Sequence, residues 1–186
     1  MMQAFNLNTG LSIGGSSLTR VNCNVGCNSI EEYPSELAKL RILKENGVLP
    51  DMMMDLSLID VEEPLYLTIR DELNLPFGSV LSYHGFNKKE GLSWERSKAE
   101  LLKLCEEKVS FVTVHFTADW DILQMAQQSR KIPMTSRGGG IVLYDTQYNH
   151  RDRNIFREHI DEIAEIALRQ YLQNLGVAII AVFRFV

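Results

Sequence analysis

One stretch carries the clearest chemistry: Thr135-Ser136-Arg137-Gly138-Gly139-Gly140. Three consecutive glycines let backbone N–H groups approach an anion with no side chain in the way. Ser136 adds a hydroxyl, and Arg137 adds a planar fork able to grip phosphate with two parallel bonds. A helix starting at about Gly140 would turn its positive end on the same anion. The stretch reads either as a phosphate cradle between a strand and a helix or as a glycine-rich turn with a solvated arginine.

Other polar side chains fall where apolar runs end: Asn24, Met54-Asp55-Leu56-Ser57, Tyr83-His84 and His115. Asn24 is either a ligand-facing amide or a turn residue before Gly26. Asp55 suits a base, a metal ligand or an acceptor for nearby N–H groups. His115 closes an apolar run, where a histidine is either a ligand or a hydrogen-bonded core residue. No two histidines have the spacing of a zinc site, and Cys23, Cys27 and Cys105 lack the spacing of an iron–sulfur site. No serine–histidine–acid arrangement is legible.

The elements that must position these groups follow a βα rhythm. After a loop or lead-in over residues 1–18, strands are predicted at Leu18–Val25, Met52–Leu56, Phe77–Leu81, Phe111–Val114, Ile132–Thr135 and Val177–Phe185. Helices are predicted between them. One follows the capping-box spacing at Ser29 and stops at Gly47; others cover Val61–Leu73, Ser93 to about Lys108, Asp119–Arg130 and Asn154–Asn174. Six βα units with no GxGxxG after the first strand favour an incomplete (β/α)8, TIM-like barrel with parallel strands over residues 19–186. In such a barrel functional groups sit at the C-terminal ends of the strands, where the polar residues above lie.

The 186 residues are 45% hydrophobic and 23% charged, enough for one ordinary core. A net charge of −5 with no basic patch argues against nucleic acid. Three cysteines and no secretory segment suggest a cytoplasmic protein with reduced thiols, and no apolar run is long enough to span a membrane.

Thr19-Arg20-Val21-Asn22-Cys23-Asn24-Val25-Gly26, Met54-Asp55-Leu56-Ser57, Thr113-Val114-His115 and Ser136-Arg137-Gly138-Gly139 occur in the order, and close to the spacing, of the phosphomethylpyrimidine synthase (ThiC) family. Glu158 to Ile163 is similar to that family's following helix, and the resemblance runs from about Gly10 to Val177. It implies a radical S-adenosylmethionine (SAM) lyase on a (β/α)8 barrel. Such an enzyme rearranges 5-aminoimidazole ribonucleotide to the phosphorylated hydroxymethylpyrimidine of thiamine biosynthesis. A related branch makes 5-hydroxybenzimidazole for cobamide (vitamin B12) biosynthesis.

By this resemblance Ser136, Arg137 and Gly138 hold the substrate phosphate, and Asn24, Met54, Tyr83 and His115 contact the rest. Two departures adjoin matched residues. Ser82-Tyr83-His84-Gly85-Phe86 stands where the pyrimidine synthases have a Tyr-Gln-Ala run, and Phe116-Thr117-Ala118-Asp119 where they have Ala-Gly. These lean towards the benzimidazole branch. The family's Gly-Asp-Gly-Leu-Arg-Pro has no match near the end; Arg184 stands in for its arginine. Family cofactors are SAM, a 4Fe-4S cluster and a zinc-type metal, and their ligands are missing from this sequence. The expectation is therefore a truncated copy, half of a split enzyme completed by another chain or a homodimer, or a non-catalytic ribonucleotide-binding module.

Overall fold

The computed structural model describes residues 4–132, 134–172 and 178–181. Two short strands, β1 (Phe5–Asn6) and β2 (Ser12–Ile13), form an antiparallel hairpin inside the expected lead-in. Then follow β3 (Asn22–Val25), α1 (Tyr33–Glu45), β4 (Met52–Asp55), α2 (Leu65–Asp71), β5 (Phe77–Val80) and a single-turn α3 (Leu81–His84). A second hairpin, β6 (Phe86–Asn87) with β7 (Gly91–Leu92), precedes α4 (Trp94–Glu106) and β8 (Phe111–Val114). The remainder is α5 (Trp120–Ser129), α6 (Arg137–Tyr148), α7 (Ile155–Glu158), α8 (Ile160–Leu172) and β9 (Ala178–Ala181).

β3, β4, β5 and β8 lie side by side in parallel, and the backbone of β9 joins them beside β8. Every neighbour is the next parallel strand in the chain, so the order contains no switch point of the dinucleotide-binding kind.

Side chains alternate across each strand, and parallel register places partners on the same face. Met53, Phe77, Val112 and Val114 face the helices and join the main core with Leu40, Leu65, Ile69, Leu101, Leu104, Val142, Phe156 and Ile163. Met52 and Phe111 face the other way and form a separate cluster with Leu7, flanked by Phe5, Leu11, Ile13 and Met54. The N-terminal hairpin thus covers this second face near the strand N-termini. Asn8 fastens it there, donating to the Lys108 carbonyl (2.7 Å) and accepting from the Ser110 hydroxyl (2.6 Å).

The expected fifth strand is not found. Residues 131–132 and 134–136 carry no strand, and β9 pairs with β8 instead. Ile132 is 64% exposed and Lys131 is solvated. A proline at 133 also denies the run a ladder donor. Helix α6 begins at Arg137, three residues before the expected Gly140. The Ser29 capping box is also corrected: Ile30–Glu32 is a 3-10 turn, Ser29 makes no side-chain cap, and α1 starts at Tyr33 with Pro34 in its first turn. The long helix expected from Asn154 breaks at His159 into α7 and α8. Residues 173–177 and 182–186, including Arg184, lie outside the described residues.

Candidate functional site

The site is built around the N-terminus of α6. Ser136 is its cap, with an extended backbone and a hydroxyl that accepts from the Gly139 N–H at 3.2 Å. The Gly140 N–H reaches the Ser136 carbonyl at 2.9 Å. The N–H groups of Arg137 and Gly138 have no acceptor among the described residues, as the first turn of a helix dictates. The end of the helix therefore carries two donors unpaired among the described residues and a positive dipole.

His115, one residue past β8, lies directly beneath this turn. Its Nε2 is 3.0 Å from Ser136 Oγ. A Cβ on Gly138 would stand 2.3 Å from His115 Cε1 and 2.8 Å from Nδ1. Gly138 is thus required because the helix backbone rests on the imidazole, a reason the sequence does not disclose. His115 is only 9% exposed, and its buried Nδ1 has no hydrogen-bond partner among the described residues. Burial pushes its pKa below the ordinary histidine value, so the ring is neutral at neutral pH.

Arg137 projects outwards and is exposed. Its Nη1 donates to Asn28 Oδ1 at 2.9 Å, and its guanidinium carbon lies 6.0 Å from the centre of the Tyr83 ring. Asn28 is itself fixed by Glu32, which accepts from its backbone N–H at 2.7 Å. Tyr83 is half-buried on α3, and desolvation raises its phenol pKa, against a smaller lowering by Arg137. The hydroxyl stays protonated.

Asn24 and Met54 are register partners on β3 and β4 and so share the face opposite the helices. Met54 Sδ lies 4.0 Å from the Thr113 hydroxyl of β8. Asn24 is exposed, and its Oδ1 accepts from the Asn22 side chain at 3.1 Å. The seven candidates fall into three sets: Ser136, Gly138 and His115; Arg137 with Tyr83; and Asn24 beside Met54. All lie at or just beyond the C-terminal halves of parallel strands, or on the helix turn above them. Asp55 faces the helices instead. Its carboxylate accepts from the Ser57 N–H (2.9 Å), the Ser57 hydroxyl (2.6 Å) and the Tyr66 N–H (3.1 Å), which makes it a fastener for α2.

Asn154, Asp119 and Asn28 were not singled out from the sequence as site residues. Asn154 is completely buried; its amide donates to the His115 carbonyl at 2.6 Å, while its Oδ1 caps α7 at the Phe156 N–H. Asp119 accepts from the Asn154 N–H at 2.8 Å and from Arg157 at 2.6 Å. The helix-cap positions of Asn154 and Asp119 were visible in the sequence. Their grip on His115 depends on the meeting of chain segments 39 residues apart.

An α/β protein with a helix N-terminus poised over the ends of a parallel sheet is the class these features define. A sequence model of the Radical SAM ThiC family matches residues 2–177, and the chain belongs to that family. The chain is similar to phosphomethylpyrimidine synthase 1 of Methanosphaera stadtmanae, 28% identical over 83% of this chain and 37% of that protein. It is likewise similar to the phosphomethylpyrimidine synthase of Desulforamulus reducens, 29% identical over 86% of this chain and 38% of that protein. That of Geobacter metallireducens is 28% identical over 84% of this chain and 37% of its own length. The chain therefore spans under two-fifths of the length of these relatives.

Membership of a radical SAM family implies SAM and a 4Fe-4S cluster, which is held by cysteine thiolates. Here Cys27 and Cys105 are buried core residues, and burial pushes the Cys105 thiol up to about 11; Cys23 is exposed on β3. Among the described residues no three His, Cys, Asp or Glu side chains group closely enough to hold a metal. These described residues do not fit the cluster or a zinc-type ion. Among the described residues no helix is long and apolar enough to cross a membrane.

Proposed function

We propose that the chain is a substrate-binding part of a radical SAM synthase acting on 5-aminoimidazole ribonucleotide, with the phosphomethylpyrimidine of thiamine biosynthesis as the product. The observation that carries this reading is the first turn of α6: two N–H donors unpaired among the described residues and the Arg137 guanidinium, above a buried, neutral His115. A phosphate placed there gains the helix dipole and a charge-assisted grip, and it needs no lysine. Asn24 and Met54 would line the floor for the base and ribose, and Tyr83 would shield one side. The sequential parallel order supports an arc of a barrel wall whose mouth this is.

The 5-hydroxybenzimidazole alternative concerns the same ribonucleotide and the same phosphate site. Its departures from the pyrimidine pattern fall on α3 and on the buried Phe116 that follows His115. Half of a split enzyme, or a binding module, is favoured by a different observation. The side chains of Asn22, Cys23 and Asn24 on the outermost strand β3 are exposed, and β3 pairs only with β4 among the described residues. A chain supplying further strands, or a second copy, would dock there.

Isothermal titration with 5-aminoimidazole ribonucleotide and with the riboside lacking phosphate tests the reading. The ribonucleotide should bind, and the riboside at least ten-fold more weakly, at about 1.4 kcal/mol per decade. Equal affinities for the two would overturn it. Turnover after reconstitution with iron, sulfide and SAM would overturn the restriction to binding, and the product would separate pyrimidine from benzimidazole.

A further inference from the structure

His84 is drawn into no role by the site as described, yet both of its ring nitrogens are engaged. Nε2 is 2.7 Å from the Ser79 hydroxyl on β5, and Nδ1 is 3.5 Å from Glu100 Oε1 on α4. Ser79 is 1% exposed and presents no surface for a reaction, so the serine–histidine–glutamate set is a fastening. What it fastens is α3, the single turn that carries Tyr83. A four-residue helix has no propagation to hold it and depends on its tertiary contacts. Gly85 fits against Ser97 of α4 on the same side: a Cβ there would lie 1.9 Å from the Ser97 hydroxyl.

We propose that His84, tied between Ser79 and Glu100, is a positioning residue that holds Tyr83 beneath the Arg137 guanidinium and so sets how firmly Arg137 grips an anion. This rests on the reading of Arg137 as the anion-holding group. In the neutral ring, Nε2 accepts from the Ser79 hydroxyl and Nδ1–H points at Glu100. A proton added at Nε2 reverses the first bond and takes that acceptor from the buried Ser79 hydroxyl. The charged groups around the ring are Glu100 and Lys103 from α4, Asp55 at the end of β4 and Asp60 in the following loop. The three carboxylates favour the protonated ring, Lys103 opposes it, and burial opposes it most.

The test uses the full chain with two readouts. The first is the ligand-free NMR signal of the Arg137 Nε–H, whose shift reports the Tyr83 ring current. The second is the affinity for ribose 5-phosphate. His84→Ala should move the Arg137 signal and weaken ribose 5-phosphate about three- to five-fold, the worth of an exposed cation–π contact. His84→Gln, which can reach Ser79, should restore both and reduce the pH dependence of the Arg137 signal below about 6.5. Glu100→Gln keeps the fold if His84→Ala does not, and should give an intermediate shift. An Arg137 signal unchanged in both His84→Ala and Glu100→Gln overturns the proposal. Should the wild-type chain fail to bind ribose 5-phosphate, the anion reading falls, and the Arg137 signal still decides whether His84 positions Tyr83.

Discussion

The two ends of α6 are built to opposite specifications. At its C-terminal end Asp145 is completely buried and satisfied: Oδ1 accepts from the Leu92 N–H (2.7 Å) and the Asn149 amide (2.6 Å), and Oδ2 from Arg151 Nε (2.8 Å). The β6–β7 hairpin is strapped on by the Tyr144 and Tyr148 hydroxyls, which donate to the Lys88 and Lys89 carbonyls. Gly91 has φ +77° and leaves no room for a Cβ, which would lie 2.5 Å from Asp145 Oδ1. At the N-terminal end, two backbone donors and His115 Nδ1 have no partner among the described residues, and the cation is exposed. One end has exchanged its hydrogen bonds for rigidity; the other leaves donors unpaired among the described residues, as the proposed anion site requires.

Separating the ends by mutation should sharpen that contrast. Asp145→Ala leaves Arg151 and the Leu92 N–H uncompensated and should cost about 3–5 kcal/mol in chemical denaturation. Ribose 5-phosphate affinity of the folded fraction should not change; a selective loss of affinity would erase the distinction. Arg137→Ala should do the reverse, weakening ribose 5-phosphate by about ten-fold or more while the melting temperature holds, with Arg137→Lys between the two. Gly138→Ala must displace His115 and should affect both quantities, with about 1–3 kcal/mol lost on denaturation. Ser136→Ala removes a cap and a partner of His115, and about 1 kcal/mol of stability should go with it.

The smallest effect is on pH. His115 and His84 both titrate below the ordinary 6.5 in the folded chain, chiefly because burial disfavours the charged ring. Below pH 6.5 the unfolded chain binds more protons than the folded one, so stability is complete above 6.5 and falls as pH drops toward the folded values. Melting temperatures from about pH 7.5 to about 5 should show this slope, reduced in His115→Gln. A flat profile in the wild type would mean that neither ring is held neutral by burial.

Much of the scaffold was readable from residue types. Met52, Phe77 and Phe111 open strands as the apolar runs require, and Ser93 caps α4 through the Arg96 N–H; α2, expected from Val61, starts only at Leu65, with Pro64 as its extended cap. The error at Ile132–Thr135 has a definite cause. Four residues with two β-formers look like a strand locally, but a proline and exposed neighbours deny them a ladder. The two hairpins escaped notice because strands of two residues carry no alternation to detect.

By itself the sequence determined the parallel α/β rhythm, the polar residues at strand ends and the glycine run next to an arginine, since periodicity, turn chemistry and residue charge are local properties. Only the tertiary structure decided that Gly138 lies flat on His115, that Arg137 stands over Tyr83 and that Asp145 closes the far end of the same helix. Those relations join residues tens of positions apart, and packing alone sets the distance between them.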